Sequence, residues 1–136
     1  MAEFVSYNAN PDGNRVGDCT IRAISAFLGK SWEETYIGIA LTGFIMRDMP
    51  SADSVWGSYL RQNGCCRYTI PNTAPADYTV REFCEDMPDG EYLLSIAGHV
   101  VYAKDGRYMA KFVWGILVQF STCASFRLDG TFMRCV

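Results

Sequence analysis

Two residues of this chain have the types and settings that nucleophilic chemistry needs: Cys19, in Gly17-Asp18-Cys19-Thr20-Ile21, and the sole histidine, His99, in Gly98-His99-Val100-Val101. A thiol becomes a strong nucleophile as its thiolate, which a helix N-terminus or a neighbouring imidazolium favours. Cys19 stands where a helix is expected to begin, and His99 opens a run of strand-forming residues. Asn14, five residues ahead of Cys19, brings a side-chain amide of the kind that stabilises a tetrahedral oxyanion. Each also fits a plainer role taken singly: a core thiol, a packed histidine, a turn asparagine.

The elements that must position these residues follow from periodicity. Residues 1–17 are rich in Asn, Pro, Asp and Gly and show no helical period, so they read as an ordered loop. From Asp18, an N-cap residue type, Ile21, Ile24, Phe27 and Leu28 recur at helical spacing, and Gly29 is a C-terminal stop. Ser31-Trp32-Glu33-Glu34 predicts a capping box for a second helix that Gly43 ends. Asp53 caps a short third helix carrying Val55, Trp56, Tyr59 and Leu60, and Cys66 to Ile70 reads as a strand. Thr79-Val80-Arg81-Glu82 is a second capping box, for a short helix ending before Pro88.

Thereafter the period becomes that of strands: 92–97, 99–104 and 107–113, with Asp105-Gly106 a two-residue hairpin turn. Segments 116–126 and 131–136, joined around Asp129-Gly130, suggest another hairpin. Helices first and strands afterwards predict an α+β fold, with N-terminal helices packed on a C-terminal antiparallel sheet.

A length of 136 residues with 49% apolar content suits one domain spanning 1–136. The net charge of −3 and pI near 5.0 argue against a protein that holds nucleic acid through its phosphates, since that needs a basic surface. No apolar run reaches the roughly 20 residues that span a bilayer, and the first residues lack a leader pattern, so the chain reads as cytoplasmic, with no membrane partner. Cys19, Cys65, Cys66, Cys84, Cys123 and Cys135 have no disulfide-framework spacing and are expected reduced; all but Cys19 read as small buried hydrophobes. With one histidine and no CxxC pair, a zinc site is not expected.

The stretch 14–25, Asn-Arg-Val-Gly-Asp-Cys-Thr-Ile-Arg-Ala-Ile-Ser, followed by Gly29-Lys30-Ser31-Trp32-Glu33-Glu34-Thr35-Tyr36, resembles small papain-like cysteine peptidase domains of bacterial and phage proteins. Residues 55–60, 78–84 and 98–101 look like later segments of the same pattern, and the resemblance spans about residues 8–106. It implies a papain-like fold with Cys19 as nucleophile, His99 as base, Asn14 as an oxyanion donor, a protein or peptide substrate cleaved at an amide or isopeptide bond, and no cofactor or metal. Papain-like sites add an Asp or Asn that orients the imidazole. Where the family carries an Asp-Thr-Trp type stretch, this chain has Ala110-Lys111-Phe112. Hairpin register through Asp105-Gly106 puts Ala110 and Phe112 on the face of His99, both apolar; Gln119 and Asp129 are the polar alternatives from later strands. Two readings follow. One is a thiol hydrolase, with its rate reduced if no third residue orients the ring. The other is a papain-like fold of phage or mobile-element type that binds and inhibits a host factor, through exposed aromatics such as Tyr102, Phe112 and Trp114, residues whose plainer and favoured reading is sheet core.

Overall fold

A computed structural model describes residues 3–14, 16–69, 79–96, 99–110 and 128–135; at residues 3, 4, 6, 69, 96, 99, 110 and 128–135 it describes the backbone alone. The order of elements is β1 (Glu3–Ser6), α1 (Cys19–Leu28), α2 (Trp32–Met46), α3 (Asp53–Gln62), β2 (Cys65–Thr69), α4 (Val80–Asp86), β3 (Glu91–Ile96), β4 (His99–Lys104), β5 (Arg107–Ala110) and β6 (Leu128–Cys135). The class is α+β, as the change of period predicts.

The strands form one six-stranded sheet in the order β1-β5-β4-β3-β6-β2. It is neither wholly C-terminal nor wholly antiparallel, which corrects the expectation. β1 pairs in parallel with β5, and β2 enters from the middle of the chain against β6. β1 falls in the segment read as loop. Four residues are too few to show a period, and the strand exists through its pairing with β5.

The β4–β5 hairpin turns at Asp105 (φ 48°) and Gly106 (φ 79°), both left-handed as a two-residue turn of this kind demands, with Lys104 opposite Arg107. The predicted turn at Asp129-Gly130 is not there: both residues lie inside β6. Opposite them the β3–β6 register slips between the pairs Leu94↔Phe132 and Ile96↔Leu128, so the same residue types serve an irregularity in a continuous strand. The other partner of that hairpin, 116–126, lies outside the described residues.

Both faces of the central strands are covered. Helices α1, α2 and α3 supply Ile21, Ile24, Phe27, Ile39, Val55, Trp56 and Leu60 to a core that includes Leu93, Val100 and Tyr102. α1 lies across β4, with Phe27 edge-on to Tyr102 at 6.2 Å. On the other face α4 brings Val80, Phe83 and Cys84, Phe83 meeting Tyr92 edge-on at 5.2 Å, beside buried Leu94, Val101 and Ala103. This two-sided burial explains why 92–94 and 100–103 read as unbroken apolar runs without alternation.

Local chemistry sets the helix limits. Ser31 Oγ accepts the Glu34 N–H, and Thr79 and Glu82 exchange both bonds of a capping box. Gly29, at φ 66°, ends α1. Gly43, by contrast, does not end α2, which runs on to Met46 and stops at left-handed Arg47. Gly43 is needed for close approach instead: a Cβ there would sit 2.8 Å from the Asp48 carbonyl oxygen.

Candidate functional site

Cys19 is the first residue of α1 and is half-buried, its Sγ 4.0 Å from Thr20 Oγ1. No acidic residue stands in that first helical turn. Asp18 holds the N-cap position, but its side chain makes no capping bond. Its Oδ1 accepts from Arg22 Nε at 2.7 Å and its Oδ2 from Trp32 Nε1 at 2.9 Å. The expected cap is therefore half of a buried ion pair at the head of α1, and the bond from Trp32 joins it to α2. Both carboxylate oxygens are thus taken by side-chain donors in place of the backbone N–H groups of the first turn. The pairing also offsets a carboxylate charge that would otherwise stand one residue from the sulfur and disfavour a thiolate.

At the head of α1 is a cavity of about 400 Å³, lined among others by Asn14, Gly17, Asp18, Thr20, Trp32 and Tyr36. Trp32 and Tyr36 stack at 5.1 Å with their planes 22° apart and form an aromatic wall. Asp18 and Thr20, on either side of Cys19, both line the cavity; Cys19 itself does not. Asn14 reaches it because the preceding loop is built on asparagine side chains. Asn8 Oδ1 accepts the Asn10 N–H, and Asn10 Oδ1 accepts those of Asp12 and Asn14. The turn-rich composition thus orders the loop, and Asn14 and the head of α1 come to one pocket.

His99 opens β4 opposite Ile96. The same register sets Leu94 against Val101 and Tyr92 against Ala103, the layer on the α4 side, while Ser95↔Val100 and Leu93↔Tyr102 form the layer under α1. Strand parity therefore aligns position 99 with Val101 and Ala103, whereas Cys19 heads the helix on the opposite layer. The imidazole itself lies outside the described side chains.

Of the residues weighed for the third position, Ala110 ends β5, and Phe112 and Gln119 lie outside the described residues. Asp129 is in β6, separated from β4 by β3. Tyr102, weighed as sheet core or as part of an exposed binding face, is core: it is buried against Phe27 because its strand is covered on both sides; burial and the nearby Glu91 carboxylate push its phenol well above the ordinary range. Phe112 and Trp114 lie outside the described residues. Cys65 and Cys84 are buried hydrophobes as expected, but Cys66 is exposed, since alternation along β2 turns it away from the core. Cys123 is not among the described residues, and of Cys135 only the backbone is, opposite Cys65.

Three residues of this region were not singled out from sequence: Arg22, Trp32 and Tyr36. The spacing of Asp18 and Arg22, four apart on one helix face, was the available signal for the ion pair. Nothing local marks Trp32 and Tyr36 as a pocket wall, because their neighbour across it comes from another element. Among the described residues, no helix is long and apolar enough to cross a membrane. No protein-family model, curated protein or solved structure matches the chain.

Proposed function

We propose that this protein is a papain-like thiol hydrolase that cleaves an amide or isopeptide bond in a protein or peptide. The observation that carries the reading is Cys19 at the N-terminus of α1, flanked by two residues of a cavity that Asn14 also lines. In this scheme the Cys19 thiolate attacks the carbonyl carbon, and the oxyanion that forms is held by the Cys19 N–H and the Asn14 amide. His99 as imidazolium gives its proton to the leaving amine, and the acyl group stays on sulfur as a thioester. Water, deprotonated by His99, then hydrolyses that thioester and restores the thiol.

Iodoacetamide alkylation followed residue by residue across pH tests this reading. Cys19 is expected to react with a midpoint below the ordinary thiol value of about 8.5, and His99→Ala to remove part of that advantage. An ordinary thiol profile at Cys19 in the unmodified protein refutes it.

The register of position 99, on the layer away from α1, favours a second reading, a papain-like fold that binds a host factor without cleaving it. Partner capture left intact by Cys19→Ala, together with a Cys19 reactivity indifferent to His99→Ala, is the outcome expected of that alternative.

A further inference from the structure

α2 is the helix whose sequence and burial disagree. Its inward side, Thr35, Ile39, Thr42 and Gly43, is buried, yet its outward side is also apolar. Ile37 is 65% exposed, Phe44 81% and Ile45 71%, with Leu41 between them and Tyr36 and Met49 at the margins. Spacings of three, four and eight residues put Ile37, Leu41, Phe44 and Ile45 on one stripe. At roughly 150–250 Å² for a large side chain fully exposed, these six residues offer about 700–800 Å². A monomer's largest apolar patch is about 300–600 Å², and a standard interface takes about 800 Å² from each partner.

We propose that this face is the interface of a homodimer in which two α2 helices pack antiparallel about a twofold axis. The charges at its two ends select that occupant and that direction. Glu33 and Glu34 are exposed at the start of the stripe, Arg47 is exposed just past its end, and none of the three has an ion pair within the described chain. The neighbouring carboxylate, Asp48, is already engaged by the Met49 N–H and the Ser54 hydroxyl. With the axis between positions 40 and 41, Ile37 lies opposite Phe44 of the second copy, and Glu34 lies opposite its Arg47. One register therefore matches the apolar positions and the Glu34–Arg47 pair, twice over by symmetry, with Glu33 opposite the hydrogen-bonded Asp48. The antiparallel arrangement also sets each helix N-terminus beside the other's C-terminus, a favourable dipole pairing. The inference does not rest on the chemistry at Cys19, although Tyr36 and Ala40 beside this face also line the cavity at the head of α1.

Sedimentation equilibrium of the full chain from about 1 to about 100 µM, a range spanning ordinary homodimer affinities, is the test. The expected mass at the upper end is twice 15.2 kDa. Phe44→Glu is expected to raise the dissociation constant on the order of tenfold or more, with unchanged circular dichroism because the site is exposed. Arg47→Glu is expected to weaken association several-fold, and the double variant Glu34→Arg with Arg47→Glu to restore it. A monomer throughout the range overturns the proposal, as does a dimer that ignores Phe44→Glu. A double variant no tighter than Arg47→Glu alone overturns the antiparallel register.

Discussion

Replacing Asp18 by alanine tests whether the head of α1 depends on the buried pair. Asp18 and Arg22 are each less than a tenth exposed, so solvent screening gives little relief. The substitution leaves the Arg22 guanidinium buried without its 2.7 Å partner, a loss of about 3–5 kcal/mol. It also takes the acceptor from Trp32 Nε1, worth about 1 kcal/mol. The two losses share one carboxylate and do not simply add, so the expected cost is about 4 kcal/mol. Against a total stability of about 5–15 kcal/mol that is a large fraction. At about 3 °C per kcal/mol for a domain of this size, the melting temperature falls by about 12 °C.

Urea and thermal unfolding by circular dichroism give the numbers, with two controls. Trp32→Phe removes the indole N–H together with part of the ring that stacks on Tyr36 and packs on the core, and is expected to cost about 1–3 kcal/mol. Asp18→Leu with Arg22→Met leaves no charge buried alone and is expected to recover most of the loss. An Asp18→Ala cost below about 1 kcal/mol, or a double variant no more stable than the single one, refutes the assignment of this pair as the anchor of α1.

Gly38→Ala tests the α2–α3 contact: a Cβ there would stand 2.9 Å from the Tyr59 Cζ, on a buried ring, so overpacking of about 1–3 kcal/mol is expected to exceed the gain of up to about 1 kcal/mol in helix propensity. A stabilised variant in urea melts contradicts that packing. Tyr102, whose phenol is raised by burial and by Glu91, carries its proton in the folded state at pH values where the unfolded chain has lost it. Its contribution is complete below the unfolded value of about 10 and is lost as pH rises above that value. Tyr102→Phe is therefore expected to flatten the alkaline fall in stability above about pH 10, and an unchanged slope there argues against it.

Much of the fold was readable because its signals are local. Asp105-Gly106 demanded a hairpin from two backbone conformations, and Thr79 with Glu82 wrote a capping box in four residues. Ile21, Ile24 and Phe27 announced the buried stripe of α1. What misled were residues with more than one local use. Gly43 can stop a helix or admit a close neighbour, and Asp129-Gly130 can turn a chain or sit in an irregular strand; only the facing backbone decides which. Asp18 was legible as an N-cap residue by type, but its carboxylate is held by Arg22 and by Trp32 from the next helix, and the latter is a contact no local pattern shows.

By itself, then, the sequence determined the helices, their order and the presence of a cysteine at the first turn of α1, because those depend on contacts within a few residues. Tertiary structure decided the rest. It joined an N-terminal strand to the sheet, brought Asn14, Thr20, Trp32 and Tyr36 around one cavity, buried Tyr102 and left the apolar face of α2 outside. It also set the register that aligns position 99 with Val101 and Ala103. Strand pairing has a period of two, so a shift of one residue exchanges the faces of the sheet, and no pattern along a strand buried on both sides tells one face from the other.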